Sequence, residues 1–124
     1  MKEILLDVIK EDTWGSEEML ARIPVWRADL GLAHKAYLSA IAYDAVYNDL
    51  SSSERKEIAE GLKRLALDPC LGDWVLEPAR IHSLNSMGHN WWTSCACMGG
   101  ILALSLQNEL PEAKQGAEVV YEAL

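Results

Sequence analysis

The chain has 124 residues, half of them hydrophobic, with 11 Lys and Arg against 19 Asp and Glu and a formal net charge of -8. The length suffices for one domain with its own core. The acidic balance excludes a general affinity for nucleic acid, which rests on cations neutralising phosphates, and excludes adhesion to anionic membranes.

Ala and Leu are plentiful, Phe is absent and β-branched residues are sparse, so the composition leans helical. Residues 2 to 22 predict two short helices around Thr13-Trp14-Gly15, the second starting at Ser16-Glu17-Glu18, with Pro24 closing the region. No secretory signal is read here, because Lys2, Glu3 and Asp7 interrupt the apolar run and no small-residue cleavage site follows. Residues 29 to 47 are apolar on nearly every side, with His34, Lys35 and Asp44 as exceptions, which predicts a buried helix. Tyr43 and Tyr47, four apart, share one of its faces; with Tyr37 they are expected in the core.

Asn48-Asp49-Leu50 breaks that helix, and Ser51 through Glu54 spells a capping box. The next helix is expected to run to about Leu67, with Ile58, Leu62, Leu65 and Ala66 in one stripe and charges opposite. Residues 68 to 85, holding Pro69, Gly72, Trp74, Pro78 and Arg80, read as a long irregular segment, and loops of that length are often functional. A second nearly uncharged helix follows, from about Trp91 to Gln107. Asn108-Glu109-Leu110 breaks it, Pro111 suits a first helical position, and a last amphipathic helix has Ala113, Ala117, Val120, Tyr121 and Leu124 on one side. The charge-free span from Ile81 to Asn108 contains no continuous apolar run long enough to cross a bilayer.

The order is thus buried helix, break, amphipathic helix, repeated about 60 residues later. Short connections make each pair an antiparallel hairpin. The predicted fold is all-α: residues 1–124 form a single helical segment of antiparallel helical hairpins, an arc of an incomplete α/α toroid. Such an arc exposes apolar edges, so a larger toroid domain or self-association through the inner helices is expected.

Chemistry concentrates in MGHNWWTSCACMGG, residues 87 to 100, at the mouth of the second inner helix. Asn90 can donate hydrogen bonds without charge, His89 can move protons near neutral pH, and Trp91 and Trp92 offer large rigid faces to sugar rings. About 100° apart on a helix, the two tryptophans divide naturally between core and cleft; equally, Asn90 suits a helix-capping role. Arg80 and His82, late in the preceding segment beside Asn85, can supply positive charge. Cys70, Cys95 and Cys97 make an odd set that reads as buried structural thiols rather than a disulfide framework. Cys95 and Cys97, two apart, point to opposite sides of a helix. There is no phosphate loop, nucleophile elbow or metal-ligand pattern, and no cofactor is implied.

Two strings carry a family resemblance: AYDAVYNDLSSSERKEI, and GHNWWTSCACMGGILALSLQNELPEA after the intervening segment. Over roughly residues 26 to 124 the chain resembles the helical domain of heparinase II/III-like, alginate lyase-like polysaccharide lyases. The resemblance rests on the Tyr-Asp...Tyr-x-x-Leu-Ser...Glu-Arg end of one hairpin, the Asn-Trp opening of the next inner helix and the Pro-Glu turn. It implies an acidic, uronate-containing polysaccharide as partner, cleaved by β-elimination in the periplasm or outside the cell. It also implies that Asn90 contacts the uronate carboxylate with His89 beside it. In related alginate lyases the neighbouring pair runs Asn then His, the reverse of the order here. The family's catalytic Tyr, a further His, a Glu-bearing motif and a β-sheet domain have no counterpart in these residues, so the chain alone is expected to hold part of an active site. Two other functions fit the same pattern: a toroid glycoside hydrolase, for which Asp44 and Asp73 are among the candidate carboxylates although no spacing favours them, and a non-catalytic helical module binding a protein partner.

Overall fold

A computed structural model describes residues 1–76 and 90–124. Every regular element among them is helical: α1 (Lys2–Val8), α2 (Glu17–Leu20), α3 (Leu30–Val46), α4 (Ser52–Leu62), a π-helical stretch (Lys63–Leu67), α5 (Asp68–Trp74), α6 (Asn90–Leu106) and α7 (Pro111–Ala123). No helix among the described residues is long and apolar enough to cross a membrane.

The starts and stops follow local chemistry. Ser16 caps α2 by accepting from the Met19 N–H at 3.4 Å. Asp29 caps α3 by accepting from Leu32 at 2.8 Å. The capping box at α4 is complete: Ser51 accepts from the Glu54 N–H at 3.2 Å, and the Glu54 carboxylate accepts from the Ser51 N–H at 2.8 Å. Pro111 opens α7.

The expected irregular segment from residue 68 is helical as far as Trp74, which corrects the sequence reading. Pro69 lacks an N–H and crowds the carbonyl four residues back, so it normally ends a helix. Here the wider π turn at Lys63–Leu67 immediately precedes it. That turn changes the bonding register before the proline and lets α4, the π stretch and α5 run as one helical path.

α3 is the centre of the fold. Its end lies near the start of α4, since the Arg55 side chain donates from Nε to the Tyr47 carbonyl at 2.9 Å. Its start lies near the end of α5, where the Trp74 indole N–H donates to the Ala28 carbonyl at 3.0 Å. The α4–α5 path therefore runs antiparallel to α3. α6 instead lies parallel to α3: Cys95, early in α6, donates to the Asp29 carbonyl at 3.7 Å, while Ser105 near its end donates to Asp44 at 3.2 Å. α6 also packs on α5 and the π stretch, and α7 packs on α6. Small residues permit close approach: Ala33, Ala36 and Ala40 of α3 and Cys95, Ala96, Gly99 and Ala103 of α6 are all buried.

α1 packs on α3 and α4. Lys2 pairs with Glu54 at 2.8 Å, and Arg64 donates to the carbonyls of Ile9, Glu11 and Asp12 just beyond the helix end. Two sequence expectations of burial are revised. α3 is not buried all round, because Tyr37, Leu38 and Ile41 emerge on one face. On α7, Ala113 and Val120 are core, but Tyr121 is 82% and Leu124 64% exposed.

Gly61 supplies a test of the α1 contact, since a Cβ there would lie 2.5 Å from the Cβ of Ile9. Helix propensity alone makes Gly→Ala worth about 1 kcal/mol. Overpacking against a branched carbon held near its own backbone costs about 1–3 kcal/mol, so the clash should win. Gly61→Ala is expected to lower stability by about 1 kcal/mol net in urea unfolding; a gain would mean that α1 yields freely.

Candidate functional site

The starts of α3 and α6 and the end of α5 meet at one end of the molecule. Asp73 organises it. Its side chain is fully buried and accepts from the Arg27 N–H at 2.6 Å, the Ala28 N–H at 2.9 Å and Arg27 Nε at 3.0 Å. A buried carboxylate is tolerated only when its lone pairs are filled and its charge is matched, and here both conditions hold. Together with the Trp74 bond to Ala28, these contacts clamp residues 26–28 onto α5.

On that bed sits an aromatic cluster. Trp26 meets Trp74 edge-on, with centroids 5.9 Å apart at 81°, and meets Trp91 at 5.6 Å and 76°. Trp74 and Trp91 are tilted at 6.3 Å. The Arg22 guanidinium lies 4.6 Å from the Trp26 ring centre, a cation–π contact. Asn90 is the first residue of α6 and is exposed; Trp91 is half-buried in the cluster; Trp92 is 2% exposed. Of the two adjacent tryptophans only Trp91 has surface to offer a ligand, which takes Trp92 out of the sugar-facing set. The Trp92 indole N–H is buried without a hydrogen-bond partner among the described residues. His89, Arg80, His82 and Asn85 lie outside the described residues.

The site can therefore present a neutral amide at the positive end of a helix, beside a partly exposed indole. Such an amide can donate hydrogen bonds without adding formal charge. Sequence reading placed Asn90 and Trp91 here but missed Trp26, Arg27, Asp73 and Trp74 as their support. Only the aromatic content of Trp26 and Trp74 hinted at it, since the pairing spans more than 40 residues.

At the opposite end, Tyr43 and Tyr47 donate to the two oxygens of Glu109, at 2.9 and 2.5 Å, and pack edge-to-face at 5.6 Å. The Arg55 guanidinium covers the Tyr47 ring at 4.1 Å. Burial, reinforced by the bond to Glu109, pushes the Tyr43 pKa far up; for Tyr47 the Glu109 bond is the leading cause of a rise. Both phenols thus stay protonated donors. Beside this knot a groove is lined by Asp44, Asn48, Ser105 and Asn108. Tyr43 is core as expected and Tyr47 half-buried, whereas Tyr37 is exposed. His34 is exposed and bonds through Nδ1 to its own helix at Leu30.

Asp44 and Asp73, two candidate carboxylates for a glycoside hydrolase, do not face each other. Asp73 is consumed at the start of α3 and Asp44 is exposed near its end. The intervening 17-residue helix is about 25 Å long at 1.5 Å per residue, against the roughly 5–10 Å that hydrolysis requires. No group of three or more metal-ligating side chains forms among the described residues. No protein-family model, curated protein or solved structure matches this chain.

Asp73→Ala strands two buried backbone donors and a guanidinium, and is expected to cost about 3 kcal/mol or more. Denaturant unfolding reads this, and a loss under about 1 kcal/mol would show the clamp to be dispensable. Raised phenol pKa values also fix an alkaline limit. Above the ordinary tyrosine value of 10.0 the unfolded chain releases phenol protons that the folded chain keeps, so stability falls as pH rises beyond it. Tyr43→Phe should flatten that fall in unfolding measurements from pH 9 to about 11; an unchanged slope would contradict the assignment.

Proposed function

We propose that this chain is part of the catalytic helical domain of a polysaccharide lyase that cleaves uronic-acid-containing glycans by β-elimination. The observation carrying the reading is Asn90, exposed at the first turn of α6 beside the half-exposed Trp91. The two parallel helices, α3 with its antiparallel α4–α5 path and α6 with α7 packed on it, support the idea of an arc of an α/α toroid, with the helix starts opening on a glycan cleft.

In this chemistry a base removes the proton on C5 of the uronate. The electron pair moves toward the carboxylate, the C4–C5 double bond forms, and the glycosidic oxygen on C4 leaves with a proton from an acid. Charge accumulates on the carboxylate in the transition state, where a fixed donor is worth most. Asn90 takes that role, with no competing formal charge of its own. His89 is the adjacent candidate for proton transfer, and Arg80 and His82 for charge on the substrate. In this reading the protein acts on extracellular or periplasmic glycans.

A second reading has its own observation. Ile101, Leu104, Tyr121 and Leu124 leave an apolar groove between α6 and α7, which suits a protein-interaction module or self-association.

The test uses the native polypeptide that contains this segment, with a panel of uronate polysaccharides, reading the ultraviolet absorbance of the new double bond. Elimination by that polypeptide, a loss of about 100-fold or more in kcat for Asn90→Ala, and no rate from residues 1–124 alone are expected. Absence of elimination across the panel would overturn the lyase reading and favour the interaction module, and a rate from the isolated chain would overturn the claim that its site is partial.

A further inference from the structure

Parallel packing of α3 and α6 brings the two chain breaks to the same end of the molecule. Asn48 opens the first break and Asn108 the second, and both line the groove beside the tyrosine–Glu109 knot. That groove holds about 490 Å³, within the roughly 300–1,000 Å³ typical of small-molecule sites. One wall is polar: Asp44 and Ser105, joined by the 3.2 Å hydrogen bond between the helices. The other is aliphatic: Ile101 and Leu104, 39% and 56% exposed.

Charge in the groove has one sign. Asp44 is exposed and forms no ion pair among the described residues, and the Ser105 hydroxyl occupies only one of its two oxygens. No lining residue is a cation. The Arg55 guanidinium is held on the Tyr47 ring and carbonyl and does not line the groove. Both helices end here, each C-terminus carries roughly half a negative charge, and neither has a basic residue in its last turn.

We propose that this groove binds a small primary alkylammonium ion. The ammonium has three N–H donors. They meet the free oxygen of Asp44 and the side-chain oxygens of Asn48 and Asn108, while the alkyl stem lies along Leu104 and Ile101. Ser105, bonded to Asp44, is one turn beyond Ile101. The carboxylate and the far end of the aliphatic wall are therefore about 6 Å apart along α6, the reach of roughly five carbon–carbon bonds. The two walls select together. An inorganic cation leaves the aliphatic wall wet, a neutral alcohol forgoes the carboxylate, and an anion such as a uronate is repelled. The Ser105 bond holds Asp44 in place, so the site exists before the ligand arrives.

The test follows backbone amide chemical shifts of the isotope-labelled chain while n-pentylammonium chloride is added at low ionic strength, with sodium chloride and n-pentanol as controls. n-Pentylammonium should give saturable shifts at Asp44, Asn48, Ser105 and Asn108 with millimolar affinity, and n-pentanol should bind at least about five-fold more weakly. Asp44→Asn keeps an oxygen for Ser105, so the rest of the spectrum should stay in place while n-pentylammonium weakens about five-fold or more. Equal binding of n-pentanol would reduce the groove to an apolar patch, and shifts matched by sodium chloride would reduce the effect to screening of an acidic surface. Either result overturns the proposal, as does unchanged affinity in Asp44→Asn. A short lysine-containing peptide is the last arm: binding more than about ten-fold tighter than the free amine would put a partner protein's lysine in the groove and overturn the assignment to a small amine. None of these readouts involves Asn90 or the lyase reading.

Discussion

A carboxylate with no exposed surface holds the two ends of the first hairpin together. Leaving an isolated ionised group in an apolar interior is prohibitive, and only a full set of donors makes it tolerable. Asp73 obtains two backbone N–H groups and one guanidinium N–H, all from residues 27 and 28. The segment entering α3 therefore has one placement on α5, and the Trp74 indole fixes it again through Ala28. Everything later in the site leans on that placement. Trp26 is the next residue back along the clamped chain; its ring receives Trp91, and Trp91 sets where the first turn of α6 sits. Asn90 is thus positioned by a buried ion pair it never touches.

Parallel packing of α3 and α6 has an electrostatic consequence. Each helix carries roughly half a positive charge at its N-terminus, and here both starts lie at one end of an otherwise acidic molecule. At α3 the field is met by the cap Asp29. At α6 the first residue is an exposed, uncharged amide. The two helix starts are therefore unequal in their first polar groups: a carboxylate caps α3, and an uncharged amide opens α6.

What could be read from the sequence was local. The capping box at Ser51–Glu54, Pro111 at the opening of α7, Ser16 before α2 and the stripe Ile58, Leu62, Leu65 and Ala66 depend on neighbours within one or two turns, and the structure places them as expected. α5 was missed because Pro69 is a strong breaker by itself, and the π turn that accommodates it leaves no separate mark in residue type. The burial of α3 was overestimated for a related reason: an all-round apolar helix has no charged stripe to show which face stays open. The long-range polar contacts at the two ends of the molecule were not legible. Arg27 with Asp73, and Tyr43 and Tyr47 with Glu109, join residues 46 to 66 positions apart, and no periodicity encodes a contact between different helices.

The 60-residue echo gains physical content from these long contacts. Leu50 and Leu110 are both 4% exposed, so the two breaks bury the same side chain. The residues before them differ: Glu109 reaches back to the tyrosines of α3, while Asp49 is exposed. The second hairpin is thus tied to the first through Glu109. On the first hairpin's other side, α1 is fixed by Lys2, Arg64 and the buried Leu5 and Ile9. Repeat architectures need such a cover where stacking stops, because an uncovered unit exposes its core. Among the described residues apolar side chains still meet solvent on both sides: Ile101, Leu104, Tyr121 and Leu124 on α6 and α7, and Met1, Ile4 and Leu38 on α1 and the adjoining face of α3.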